Sequence, residues 1–332
     1  MKRVFGYDAM KALAAFFVVL FHFGINEFEY NEGSFYYPSL AQTLSLFTSC
    51  GVPLFFAVNG ALTISRNYDF RKTINKALRL ILIALFWGFI IQCAYAIRFH
   101  RSPHVSWESL HYYWFLFSLA YFYIINYFLN FLNLLPHWCR WACFLVLLAF
   151  PFITNYIWNV VVFINPSISI PSWGHIGVYT MYGLVYMYAG DYLAHHNIKK
   201  LISICCVLLG LALSVFEVIA IVNYSHKPYE GANYAFPTLG ALLMTIGLFI
   251  WLKGVDTKAY QIKHFISFLG SNALGIYIFH MLLMALSGDI LKEYGLLSYR
   301  ISAVLLAIVY TILSALISDL IRKTPLNFLL KL

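Results

Sequence analysis

Residues 7–24 read YDAMKALAAFFVVLFHFG, an apolar run with a lysine near its start and a histidine near its end. A run of this length and composition predicts a helix that enters a lipid bilayer. At 3.6 residues per turn, the step from Lys11 to His22 makes about three turns, so both side chains share one face, about 16 Å apart along the axis. Charged and titratable side chains are costly inside a membrane, which makes both residues candidates for a functional site.

The composition of the whole chain is that of a membrane protein. Of its 332 residues, 62% are hydrophobic and 11% are charged, whereas soluble domains carry about 25% charged residues. The first run is too long and too charged for a cleaved signal peptide, so we expect a retained helix. We predict an all-α, polytopic membrane protein that forms one domain over residues 1–332. Its ten hydrophobic segments have approximate bounds of 8–26, 40–65, 77–98, 112–133, 139–158, 175–194, 200–223, 234–253, 265–288 and 299–321.

The net charge of +9 follows from the placement of the basic residues. With the N-terminus in the cytoplasm, 17 of the 22 Lys and Arg residues fall on the inner side. Because positive charge is retained on the cytoplasmic side, this asymmetry predicts that both termini are cytoplasmic and that no nucleic acid is bound. The five basic residues on the outer side are Arg98, Arg101, Lys227, Lys292 and Arg300.

The first segment holds the strongest candidates for chemistry. Asp8 and Lys11 are three residues apart, so they can pair on one helix face. The alternative for Lys11 is that its side chain extends to the inner membrane surface. His22 is a candidate proton carrier, because imidazole titrates near neutral pH; its alternative is a hydrogen-bonded packing residue.

The second segment contains SCGVPLFFAVNGALTISR at residues 49–66. Gly51 and Pro53 favour a bend or a local unwinding of the helix. Asn59 and Gly60 place a polar amide beside a glycine that permits close packing. The alternative for this run is ordinary helix–helix packing through small residues.

Two further segments carry polar residues at helical spacing. Lys76 and Arg79 share a helix face and suit an anionic lipid or a phosphorylated cofactor, or they anchor the inner end of the helix. Tyr277 and His280 are three residues apart in the ninth segment, where His280 is predicted to lie at the depth of His22.

Taken together, these segments resemble the acyltransferase-3 family of integral membrane acyltransferases, over nearly the whole chain. The chain has lysine at position 11, where many members have arginine, and asparagine at position 59, where many have serine. Its compact form resembles most the subgroup that O-acetylates enterobacterial common antigen. The motifs that carry the resemblance are Lys11 and His22 after Asp8, Gly51 to Gly60, Lys76 and Arg79, His111 with Trp114 and Phe115, and Gly275 to His280.

The resemblance implies transfer of an acyl group, usually acetyl, from cytoplasmic acetyl-CoA to a hydroxyl of a surface glycan or lipid-linked sugar. It implies a multi-pass protein of a bacterial inner membrane, in contact with lipid, with no permanently bound cofactor and no metal. His22 would be the base, Asp8 would hold Lys11, and Tyr277 and His280 would orient the sugar or stabilise the oxyanion. The donor phosphates would contact Lys11, Lys76 and Arg79, and the substrate would contact Asn59, His111 and Trp114.

A proton-coupled transporter or flippase without catalysis is the alternative class, since intramembrane His and Glu residues also suit such carriers. The order of the motifs favours the enzyme. The sequence leaves open the acceptor sugar, the acyl chain length, the oligomeric state and the role of Glu217.

Overall fold

The computed structural model describes residues 4–25, 27–28, 33–66, 69–99, 112–129, 136, 138–139, 142, 145–146, 150, 152–153, 181–225, 229–230, 236–295 and 300–330. These residues are helical apart from turns, irregular connecting residues and one short antiparallel ladder, in which Glu27–Phe28 (β1) pairs with Tyr229–Glu230 (β2). The all-α prediction is therefore confirmed.

Eleven α-helices are formed by the described residues, together with 3₁₀ turns at Leu46–Cys50 and Pro325–Leu329. In chain order the helices are Phe5–Phe21 (α1), Leu40–Ser45 (α2), Gly51–Thr63 (α3), Phe70–Arg98 (α4), Trp114–Leu129 (α5), Tyr182–His195 (α6), Lys200–Ser225 (α7), Leu239–Lys253 (α8), Tyr260–Ser271 (α9), Ala273–Glu293 (α10) and Arg300–Arg322 (α11).

Within the described ranges, four helical stretches are long and apolar enough to cross a membrane: Leu40–Thr63, Phe70–Arg98, Lys200–Tyr224 and Arg300–Arg322. Helices α9 and α10 meet the same test only as a pair, and a fifth span results if the pair is counted as one. The ten predicted spans and the cytoplasmic termini stay predictions. Most of the predicted segment 139–158 lies outside the described residues.

The predicted ninth segment is two helices and not a single straight one. Helices α9 and α10 meet at Asn272 with a bend of 69°. Asn272 is buried, its Nδ2 donates to Phe268 O over 3.0 Å, and its Oδ1 accepts from Ser318 Oγ over 2.8 Å. These side-chain bonds hold the chain at the break, where the first residues of α10 lack helical partners of their own.

The described residues pack into two compact units. The first comprises Met1–Phe23, Asn67–Phe131 and Asp256–Leu332, and the second comprises Gly24–Arg66 and Leu132–Val255. The prediction of one domain over residues 1–332 stays a prediction.

In the first unit, α1 packs against α9, α10 and α11, and α4 packs against α5 and α10. The contact between α1 and α9 is close at Gly270, where a Cβ atom would overlap the backbone of Asp8. Trp87 of α4 meets Phe279 of α10 edge-on, with ring centroids 4.8 Å apart. This unit holds most of the predicted site residues.

In the second unit, α3 packs against α6, and α7 packs against α8. The first contact depends on glycine from both helices, because a Cβ atom on Gly60 would overlap Met187 and one on Gly190 would overlap Ala57. The 3₁₀ turn that ends at Cys50 directly precedes α3, so the helix type changes at Gly51, and the bend or local unwinding predicted there stays a prediction.

Candidate active site

Helix α1 carries the predicted ion pair near its start. Asp8 is buried, and Lys11 Nζ lies 3.8 Å from Asp8 Oδ1. The Lys11 side chain keeps 29% of its surface exposed, so the cation reaches the edge of the unit while its partner lies inside. The i, i+3 pairing that the sequence predicts is confirmed.

The other end of α1 presents a histidine to a second histidine. His22 is the C-cap residue of α1 and is exposed, whereas His280 of α10 is fully buried. Their ring centroids lie 5.1 Å apart, and the rings meet edge-on at 77°. The sequence predicts only a similar depth for these residues, and the fold brings them into contact.

A backbone hydrogen bond sets the orientation of His280. Its Nδ1 lies 2.9 Å from the carbonyl oxygen of Ile276. Since a carbonyl oxygen can only accept, Nδ1 carries the proton, and the neutral ring keeps a lone pair on Nε2. This Nε2 is buried, and no residue in the described part of the chain forms a hydrogen bond with it. His280 therefore offers an acceptor atom beside the ring of His22.

Tyr277 links His280 to the start of α5. Its ring centroid lies 6.0 Å from that of His280 and 5.3 Å from that of Phe115. Its hydroxyl donates to Tyr112 O over 3.0 Å, two residues before the half-buried Trp114 that begins α5. The Tyr277 hydroxyl is thus engaged with backbone, and its predicted role toward the substrate stays a prediction.

The predicted basic residues lie on α4, which belongs to the same unit. Lys76 Nζ lies 4.3 Å from the ring centroid of Tyr123, a cation–π contact with α5. Arg79 follows three residues later and is exposed. Asp69 caps the start of α4 by accepting from the Lys72 N–H over 2.7 Å, and this bond lowers the pKa of Asp69.

The remaining predicted residues lie elsewhere. Asn59 belongs to α3 of the second unit, where its Nδ2 donates to Phe55 O over 2.9 Å. Glu217 lies on α7 of the same unit and is half-buried. His111 falls outside the described residues. The roles predicted for Asn59 and His111 stay predictions.

Ser314, a polar residue of α11 in the first unit, is not among the site residues that the sequence predicts. It is fully buried, and its hydroxyl has no hydrogen-bond partner within the described part of the chain. The signal in the sequence is the spacing of Ser314 and Ser318, two hydroxyls one turn apart in an otherwise apolar helix.

Residues 4–323 match the acyltransferase-3 sequence profile, which is described as an acyltransferase domain. The chain belongs to the acyltransferase-3 family. The match covers nearly the whole chain, so it includes α1 with both its ion pair and His22, as well as His280 and α11. Membership and the apolar helices together indicate a membrane acyltransferase. No match was found among curated proteins or among solved structures.

Proposed function

We propose that this member of the acyltransferase-3 family is a membrane O-acetyltransferase of a bacterial inner membrane. It moves an acetyl group from cytoplasmic acetyl-CoA to a hydroxyl of a surface glycan or lipid-linked sugar, such as enterobacterial common antigen. The observation that carries the proposal is the contact of His22 with His280, on the same helix as the Asp8–Lys11 ion pair.

The donor site is proposed at the inner end of α1 and α4. Acetyl-CoA carries several phosphates, and lysine and arginine side chains form charge-assisted hydrogen bonds with them. Lys11, Lys76 and Arg79 supply these cations, with Asp8 fixing Lys11 by the ion pair already described. Lys11 and His22 are about 16 Å apart along α1. A pantetheine arm spans such a distance, so the thioester reaches His22 while the nucleotide stays at the inner end.

Acetyl transfer then needs one base and one oriented acceptor. His22 is exposed and takes the proton of the reacting sugar hydroxyl, a role that typically accelerates such reactions by about 10²–10⁴-fold. The hydroxyl oxygen forms a bond to the acetyl carbon, the carbon–sulfur bond breaks, and the proton passes to the departing CoA sulfur. His280 keeps Nε2 as an acceptor, so we assign it to orienting the sugar and not to stabilising the oxyanion, which requires a donor.

The test is the O-acetyl content of surface glycans, measured by mass spectrometry in cells that carry the wild-type gene, a deletion, His22→Ala or His264→Ala. His264 is a matched control, because it is an exposed histidine of the same unit on α9. We expect loss of O-acetyl groups in the deletion and in His22→Ala, and wild-type content in His264→Ala, at equal protein levels.

Thioester cleavage by the purified protein separates the enzyme from a carrier. We expect release of CoA from acetyl-CoA in the presence of membranes that contain glycan, and a large loss in His22→Ala. An unchanged glycan in the deletion strain, together with no thioester cleavage, would overturn the proposal in favour of a transporter.

A further inference from the structure

Helices α1, α10 and α11 of the first unit meet beside the two histidines. His22 of α1 contacts His280 of α10. The next residue of α1, Phe23, meets Tyr310 of α11 edge-on, with ring centroids 5.2 Å apart. The hydroxyl of Tyr310 is hydrogen-bonded to Ser287 of α10. The side of α11 that carries Tyr310 therefore faces the same junction as His22 and His280.

The register of α10 and α11 places Ser314 level with His280. Near the start of α10, Gly275 lies against Ser318, where an added Cβ would overlap the serine side chain. Twelve residues further along α10, Ser287 bonds to Tyr310, so the two helices run antiparallel. Ser314 lies one turn from both Ser318 and Tyr310 on one stripe of α11, and His280 lies between Gly275 and Ser287 on α10.

The polar atoms of these two side chains are complementary and unsatisfied. Ser314 and His280 are both fully buried. Ser314 Oγ and His280 Nε2 have no hydrogen-bond partner among the residues that the structure describes. A buried polar group without a partner is costly, and such groups in a native protein require an explanation. A hydroxyl placed between them would donate to Nε2 and accept from Oγ, which satisfies both.

We propose that Ser314 and His280 together bind one hydroxyl of the acceptor sugar, adjacent to the hydroxyl that His22 deprotonates. The inference rests on the proposed function and names the class of acceptor: a sugar with two neighbouring hydroxyls at the reacting position. Ser314 is then a residue that determines acceptor specificity. A reacting water molecule has no second hydroxyl to bind Ser314 and His280, so this contact favours transfer to the sugar over hydrolysis.

The experiment uses membrane vesicles that contain the native glycan and radiolabelled acetyl-CoA as the probe. Label in the glycan reports transfer, and label in free acetate reports hydrolysis by water. We expect Ser314→Ala to lower the ratio of transfer to hydrolysis by roughly tenfold, the range for loss of one hydrogen bond. Ser314→Thr keeps the hydroxyl and restores the ratio.

Ser318→Ala is the matched control, since Ser318 is equally buried on the same helix and its hydroxyl bonds to Asn272. It is expected to lower stability and to leave the ratio at the wild-type value. Ser314→Cys keeps the side-chain volume with a weaker donor and replaces the alanine variant if that variant fails to accumulate. An unchanged ratio in Ser314→Ala, or an equal drop in Ser318→Ala, would overturn the inference. No label in glycan with the wild-type protein would instead overturn the proposed function.

Discussion

At the scale of a single residue, substitution of Lys11 tests whether its side chain belongs to the proposed site for acetyl-CoA. Its ammonium group lies 3.8 Å from the carboxylate of the buried Asp8. Arginine keeps the charge and adds a planar set of donors, so we expect Lys11→Arg to retain at least a third of the activity. Lys11→Met removes the cation, and we expect kcat/KM for acetyl-CoA to fall by about tenfold or more, chiefly through KM.

The measurement is the initial rate of thioester cleavage as a function of acetyl-CoA concentration. Arg66→Met, a basic residue that belongs to the second unit, serves as the control for a general loss of positive charge. A wild-type KM in Lys11→Met would show that Lys11 takes no part in donor binding.

The stability of the folded protein depends on pH through the exposed ion pair of Asp256 and Lys263. Lys263 Nζ lies 2.6 Å from Asp256 Oδ1, and this hydrogen bond lowers the pKa of Asp256. A depressed carboxyl pKa adds stability above the ordinary pKa of about 4, and that stability is lost as the pH falls through the lower, folded-state value. The effect is small because the pair is exposed.

We therefore expect Asp256→Asn to unfold at a slightly lower temperature than the wild type near pH 7. The two melting curves should converge only as the pH falls below the ordinary carboxyl pKa of about 4 and through the lower pKa that Asp256 has in the folded protein. Thermal unfolding of both purified proteins across this pH range checks the prediction. A difference in melting temperature that stays constant at all pH values would contradict the role of ionised Asp256.

At the scale of the element, the close contact of α9 with α1 depends on Gly270. A Cβ atom there would overlap the backbone of Asp8, and backbone cannot move aside as a flexible side chain can. We expect Gly270→Ala to destabilise the first unit by about 1–3 kcal/mol and to lower activity, because Asp8 holds Lys11. Gly254→Ala is the control, since nothing lies within 4 Å of the added atom.

Thermal unfolding and thioester cleavage, measured on both glycine variants, check this prediction. Equal melting temperatures for Gly270→Ala and the wild type would show that α9 does not depend on close contact with α1. A loss of activity in Gly254→Ala of the same size would show that the effect is not local.

The elements illustrate how far sequence reasoning extends. Hydrophobic runs predict most of the helices, because apolar composition and length are local properties. The break at Asn272 is different: its amide is held by Phe268 in the same helix and by Ser318 of α11, 46 residues away. Residues 265–288 are apolar enough to form one helix. The hydrogen bond from Ser318 to Asn272 instead holds the break between α9 and α10.

The candidate site likewise combines local features that the sequence predicts with contacts that only the fold creates. Spacing alone predicts the pair of Asp8 and Lys11, which lies within one helix. The contact of His22 with His280 joins residues 258 positions apart, and the sequence predicts only a shared depth. The engagement of the Tyr277 hydroxyl by Tyr112, like the placement of Ser314, depends on the packing of helices that are distant in sequence.

At the scale of the whole molecule, the proposed reaction requires one particular orientation of the protein in the membrane. The distribution of Lys and Arg predicts cytoplasmic termini, with 17 of 22 basic residues on the inner side. This orientation puts Lys11 toward the acetyl-CoA of the cytoplasm and His22 toward the outer face. The opposite orientation would leave the donor cations on the side without acetyl-CoA.

Fusions of alkaline phosphatase, which folds to an active enzyme only outside the cytoplasm, test the orientation directly. We expect activity for a fusion after Gly33, an exposed residue that lies between α1 and α2, and none for a fusion after Thr257, between α8 and α9. The latter segment is flanked by Lys253 and Lys258, which favour the inner side. Active phosphatase at Thr257 and none at Gly33 would show that the protein has the opposite orientation in the membrane. His22 would then face the cytoplasm, and transfer to a glycan at the outer face could not proceed through it.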